Sequence, residues 1–518
     1  MILQTTLSHS TTQFISPQIS SSSPHGSSSF ALSFPYKKTH NLNHSIRCSI
    51  SQVHNYGTID DHGKRHLLKW SNIFKRISTI DDPEIGVSSE LNRCENDGKK
   101  FTKWELCRIA KELRKYKRYK LALEVYEWMN NRIGTFRLSS SDTAIQLDLI
   151  AKVRGITYAE DYFTRVPDTV KDKRIYGALL NAYVGAKIRD KAETLMEKIR
   201  NKGYAIDPLP YNVMMTLYMK LEEFDKVEEL ISEMKQKKIP LDSYSYNIWI
   251  SARGSRGSAE VMEQVLEEME SDPSIVTNWT TFSTMAAMYV KLRLPEKAEQ
   301  CLRILETRIV GRDRMPYHYL ISLYGSVGNK DEVYRVWNIY KSIFTNVPNW
   351  GYHSVISSLV RLGDIEGAEK LYEEWLPVKF TYDPKIGNLL MGWYVKEASF
   401  EKVKGFFDHM IEVGGKPSAA SWEILGEGHI KEGRISEALT CFKEAFRAEG
   451  TKNWRPKPSN VTAFFELCDK EADQASKDDL VALLTQMGCM EDEKYSSLPN
   501  ENEETESKDP GMLISVIE

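Results

Sequence analysis

The chain has little that would build an enzyme site or a membrane anchor. Its seven cysteines are scattered, with no Cys-x-x-Cys pair, which argues against both a zinc site and a disulfide framework. No apolar run approaches the ~18 residues of a transmembrane helix. There is no phosphate-cradling loop, no nucleophile elbow and no His-Glu-x-x-His, and nothing gathers the groups of an active site. A non-enzyme without cofactor, metal or small-molecule substrate is expected. Charge of one sign is also lacking, because the net is −3. Any polyanion contact must therefore come from a local basic stripe.

Acidic residues are absent before Asp60. Residues 1–48 are rich in Ser and Thr, with Lys37, Lys38 and Arg47 as their only Lys or Arg. Such a segment cannot bury enough apolar surface to fold alone, and its composition is that of an organelle transit peptide. The serine runs and the single arginine favour a chloroplast address, with the mitochondrion as the alternative. Losing those cations would leave 66 basic against 72 acidic residues. Residues 491–518 read as an acidic, solvated tail.

What the chain has instead is a period. Tyr211-Asn212, an apolar run to Lys220, a second run from Val227 to Met234, and Asp242 form a grammar that returns at Tyr246-Asn247, Phe282-Ser283, Tyr317-His318 and Tyr352-His353. Units begin at 173, 208, 243, 279, 314, 349, 384 and 419, with every step 35 residues except the 36 from Ser243 to Trp279. A fixed period of this size means a stacked repeat array. Each unit carries two runs with helical spacing, separated by a polar turn or by Gly328, Gly363 or Gly433. The reading is an all-α, right-handed superhelical solenoid of about ten helix-turn-helix pairs. Residues 49–102 read as a linker and N-terminal region, 103–172 as divergent repeats, 173–453 as the regular array and 454–490 as a capping helix pair.

These residues resemble the pentatricopeptide repeat family of plant organelles. Ser-Tyr-Asn at 245–247, Ile239-Pro240-Leu241-Asp242 and Gly414-Gly415-Lys416-Pro417-Ser418 match its unit. The resemblance covers roughly 103–490, and the uniform unit length is similar to the P subclass. It implies a protein that binds single-stranded organellar RNA on its concave face, one base per unit. Processing, stability, splicing or translation of that RNA would follow. The rival reading is a scaffold for protein partners.

The resemblance also assigns roles by register. The fifth and last residues of a unit read a base. Asn212 with Asp242 would favour uracil, Asn247 with Asn278 a pyrimidine, and Ser283 with Asp313 guanine. The amide and hydroxyl groups supply donors and acceptors for a base edge. Leu209, Tyr244, Met315 and Trp350, at position two, would pack on base faces. Lys220, Lys291, Arg361, Lys396 and Lys431, at position 13, would face phosphate. Gly177 has no side chain with which to read a base, His318 and His353 are unusual fifth residues, and Glu423 would sit badly beside phosphate. Asn, Asp and Ser at these places also suit helix capping.

Overall fold

The computed structural model describes residues 64–80, 86–132, 134–449, 454–489 and 495. The chain divides into two units, Met1–Arg47 and Cys48–Glu518, and every described residue belongs to the second. The segment read as a transit peptide lies outside the described residues, as does the acidic tail apart from Tyr495.

The described residues form helices and no strands. α1 (Lys64–Ser78) pairs with α2 (Val87–Asn96), α3 (Lys103–Lys115) with α4 (Tyr119–Asn130), and α5 (Ser140–Arg154) with α6 (Ile156–Arg165). The regular units follow: α7 (Lys173–Gly185) and α8 (Arg189–Asn201), α9 (Pro208–Lys220) and α10 (Phe224–Gln236), α11 (Ser243–Ser255) and α12 (Ala259–Ser271), α13 (Trp279–Lys291) and α14 (Pro295–Thr307). Then come α15 (Met315–Val327) and α16 (Lys330–Ile343), α17 (Asn349–Arg361) and α18 (Ile365–Val378), α19 (Pro384–Lys396) and α20 (Phe400–Glu412), α21 (Ala419–Lys431) and α22 (Ile435–Glu449). The last pair is α23 (Pro458–Glu471) and α24 (Gln474–Gln486). The architecture is an all-α solenoid. The segment read as a linker and N-terminal region contains α1 and α2, and α1 packs on α3 while α2 packs on α4.

Each boundary has a local cause. The residue that closes one unit caps the first helix of the next. Asp172, Asp207, Asp242, Asn278, Asp383 and Ser418 each accept a backbone N–H from the following turn, which satisfies one of the orphan donors at a helix start. The turn inside a unit falls at position 15, where the backbone is left-handed in Lys117, Lys187, Glu222, Gly257, Arg293, Gly328, Gly363, Ala398 and Gly433, with φ from 51° to 95°. Except after Gly257, the next residue's N–H returns to the carbonyl of position 11, as in Glu223 to Tyr218 and Ser399 to Tyr394, both 2.9 Å. This closes the helix by the Schellman pattern.

Packing then follows from register. Position 20 of the second helix, residues Ala192, Val227, Met262, Ala298, Val333, Ala368, Val403 and Ala438, is fully buried in every regular unit. From α5 to α21 each first helix also packs directly on the next first helix. At one such seam Gly325 meets Ser358 so closely that an added Cβ would lie 2.7 Å from the serine Cβ. Trp128, Trp337 and Trp375 lie in the core. Among the described residues no helix is long and apolar enough to cross a membrane.

Candidate nucleic-acid interface

Position five lies one turn into each first helix, at the seam with the following unit. The clearest case is Asn212, which is 2% exposed. Its Nδ2 donates to Asp242 Oδ1 at 3.1 Å, and its Oδ1 accepts from Ser245 Oγ at 2.7 Å. Ser245 N–H also donates to Asp242 Oδ1 at 2.7 Å. One aspartate therefore caps α11 and orients the asparagine of the preceding unit. The capping role and the register of the fifth and last residues are one arrangement.

The second pair meets through a relay. Asn247 Nδ2 donates to Thr280 Oγ1 at 3.0 Å, and Thr280 Oγ1 donates to Asn278 Oδ1 at 2.6 Å. The third pair is not brought together by a hydrogen bond. Ser283 Oγ turns back to Thr280 O at 2.9 Å, and Asp313 accepts from Met315 N–H at 3.0 Å. Asn388 reaches Ser418 Oγ at 3.5 Å in the unit that begins at 384.

The departures from the pattern have structural roles. His318 is buried, with its Nε2 3.1 Å from Tyr340 Oη and its ring 6.1 Å from Trp350. Burial, with the Arg314 charge adding to it, pushes its pKa down to about 4. Burial also lowers the pKa of His353, against the opposing pull of Asp383. Glu423 does not face outward. Its carboxylate accepts from Lys457 N–H at 2.6 Å, Asn460 Nδ2 at 3.3 Å and Trp454 Nε1 at 3.3 Å, and so holds the start of α23.

Buried polar atoms are almost always partnered. Among the described residues, nine buried side-chain polar atoms have no hydrogen-bond partner, and three of them belong to position five: Asn247 Oδ1, His318 Nδ1 and Asn388 Oδ1.

At position two, Leu209, Tyr244 and Met315 are half-buried and Trp350 is 44% exposed. Tyr244 Oη lies 3.3 Å from Thr216 Oγ1 of the preceding first helix. Sequence reasoning did not assign Trp104, which holds the same register in α3 and is 43% exposed, with Arg108 5.4 Å from its ring. Its place two residues after the cap Thr102 was the available signal. The position-13 residues Lys220, Lys291, Arg361, Lys396 and Lys431 are all exposed at the ends of first helices. Three of them also reach back one unit. Lys291 Nζ donates to Ser255 Oγ at 3.3 Å, Arg361 Nη1 to Ser326 Oγ at 2.6 Å and Lys431 Nζ to Val395 O at 2.8 Å.

Comparison with known proteins places the chain in a family. A relative described as a pentatricopeptide repeat-containing protein of Arabidopsis thaliana is 63% identical over 454 residues, covering 88% of this chain and 86% of its own. The chain belongs to the pentatricopeptide repeat family. The PPR repeat family model matches residues 210–253, and the PPR repeat model matches 280–308 and 351–376. A second pentatricopeptide relative, named large ribosomal subunit protein mL101 of Arabidopsis thaliana, is 42% identical over 436 residues, covering 81% of this chain and 88% of that one. Further Arabidopsis relatives at 31–33% identity carry the word mitochondrial in their names. Among solved structures, the pentatricopeptide repeat protein PPR10 in complex with an 18-nucleotide psaJ RNA element matches with a TM-score of 0.45 and 15% identity. That match covers 82% of this chain, which spans 65% of the solved one.

Proposed function

We propose that this chain binds single-stranded organellar RNA along the face of its first helices and acts by occupancy rather than catalysis. The observation that carries the reading is the shared register of Asn247 Oδ1, His318 Nδ1 and Asn388 Oδ1. A buried polar atom without a partner is costly, and the same cost recurs at one position of three units. A base edge laid along the seam would supply the missing partner. Asn212 with Asp242, Asn247 with Asn278, and Ser283 with Asp313 would read a U-pyrimidine-G core. Leu209, Tyr244, Met315 and Trp350 would pack on bases. Lys220, Lys291, Arg361, Lys396 and Lys431 would meet phosphate. The unit uniformity fits the P subclass, and the consequence would be protection, processing, splicing or translation of the bound transcript. The composition of residues 1–48 favours the chloroplast, and the mitochondrial names of relatives keep that organelle as the alternative.

A second reading has its own support. One relative is named as a ribosomal protein, which favours a helical scaffold held among protein partners. The two separate cleanly by crosslinking and sequencing RNA recovered with the tagged protein from isolated chloroplasts. One enriched footprint with the U-pyrimidine-G core, lost on changing Asn212 and Asn247 together, is the expected result. Co-purification of a stable protein with no enriched RNA would leave the scaffold.

A further inference from the structure

The unit that begins at 173 differs from its neighbours in having no side chain at position five. A Cβ built on Gly177 would meet nothing within 4 Å. The space opens into a cavity of about 320 Å³ between α7 and α9, at the lower end of the range that holds small ligands. Its apolar walls include Leu180 and Val213 from the two first helices, and Tyr204 from the connecting loop. The Tyr204 ring lies edge-on to Tyr176 at 5.7 Å, which fixes that wall.

The polar groups of the cavity are few and placed. Asn181 lies one helical turn beyond Gly177 and lines the cavity. Its Nδ2 donates to Gly177 O at 2.9 Å. That bond uses one amide hydrogen and leaves a second amide hydrogen and Oδ1, the donor and acceptor that an asparagine can offer a base edge. At the rim, Lys173 pairs with Asp207 at 2.9 Å and Arg174 with Asp172 at 3.5 Å. Both cations remain about half exposed, with side-chain exposures of 49% and 41%.

We propose that this cavity takes a purine base of the bound RNA strand, inserted at the position where the neighbouring units present a fifth side chain, with Asn181 reading its edge. The inference rests on the RNA-binding reading above. The volume left by the missing side chain has room for a bicyclic ring, the apolar walls suit a base face, and the rim cations suit the adjoining phosphates. Gly177, which read from the sequence as a unit unable to recognise a base, is the residue that makes the room.

The test uses the full chain and short fluorescein-labelled RNAs carrying a U-C-G core, with adenosine, uridine or an abasic ribose at each flank in turn. Anisotropy should show one flank at which adenine binds about tenfold tighter than the abasic site, with uracil between them. Gly177→Phe should fill the cavity and abolish that discrimination while dependence on the core persists. Gly177→Ala should keep the discrimination, and Asn181→Ala should narrow it several-fold. Thermal melting checks that each variant folds. Equal affinity for adenine and abasic RNA at both flanks would overturn the inference, as would discrimination that survives both Gly177→Phe and Asn181→Ala. Adenosine monophosphate bound without RNA, lost in Gly177→Phe and accompanied by no flank effect, would make the occupant a free nucleotide and also overturn it. Equal binding of a scrambled core would instead defeat the RNA reading itself.

Discussion

At position 15 one backbone requirement is met by different side chains. Gly257, Gly328, Gly363 and Gly433 adopt the left-handed turn without a Cβ penalty, whereas Lys117, Lys187, Glu222, Arg293 and Ala398 adopt it against one,. Ala398→Gly is therefore expected to stabilise the array by about 1 kcal/mol, and Gly363→Ala to cost about as much, in urea unfolding. Gly328, Gly363 and Gly433 were legible as turns in the sequence. The non-glycine turns were not, since nothing in Glu222 or Arg293 announces a positive φ. His318 gives a second residue-scale prediction. Its folded pKa, near 4, lies below the ordinary 6.5. Above pH 6.5 both states are neutral and its contribution is full. As pH falls from 6.5 toward 4, the unfolded chain takes a proton that the folded one refuses, so stability drops. The loss should be about 2 kcal/mol by pH 5. Subtracting the unfolding curves of His318→Gln from those of the native chain at pH 7 and pH 5 isolates this contribution. An unchanged difference between the two pH values would place the His318 imidazole in contact with water.

At the element scale, each helix pair is stable only with its neighbours, and the ends show how the array is closed. Glu423 holds position five of the last regular unit, yet its carboxylate is spent on Lys457, Asn460 and Trp454. It fastens α23 to α21. Glu423→Ala leaves two side-chain donors and a helix-start N–H without their acceptor. The expected cost is about 2 kcal/mol. Faster hydrogen exchange should be confined to α23 and α24, with α7 to α18 unaffected, as nearest-neighbour coupling requires. A uniform rise along the chain would mean that the pair is not an independent end. The reversal of Glu423 was hidden in the sequence because its partners lie more than 30 residues away. The pair α1 and α2 was hidden for another reason. Ile73 and Ile77, and Leu91 and Cys94, have helical spacing, but they carry none of the unit's Tyr-Asn or Pro-Asp punctuation.

For the whole molecule, one period decides the architecture, because a helix pair with two apolar faces can bury them only by stacking. The regular array from 173 onward was legible in the sequence, whereas the pair α1 and α2 was not. Which of the array's side chains are free to meet a ligand was not legible, because that depends on contacts between units. Arg189 with Glu223, Arg200 with Glu233, Lys235 with Glu268 and Lys341 with Glu374 all join neighbouring units. Solvent reaches both members of each pair, which keeps the contribution of each small, so they fix spacing more than stability. The position-13 cations stand between these two roles. Lys291 bridges to Ser255 and is still exposed at a helix end, where a phosphate could compete for it. If Lys291 and Lys396 meet phosphate, Lys291→Gln with Lys396→Gln should reduce the slope of log affinity against log salt by about 1.4, at about 0.7 per single-strand phosphate contact. RNA binding measured across a salt series gives that slope directly. A double variant with the native slope and a lower melting temperature would assign both lysines to joining units, and the basic stripe would then be a device of the solenoid rather than of its ligand.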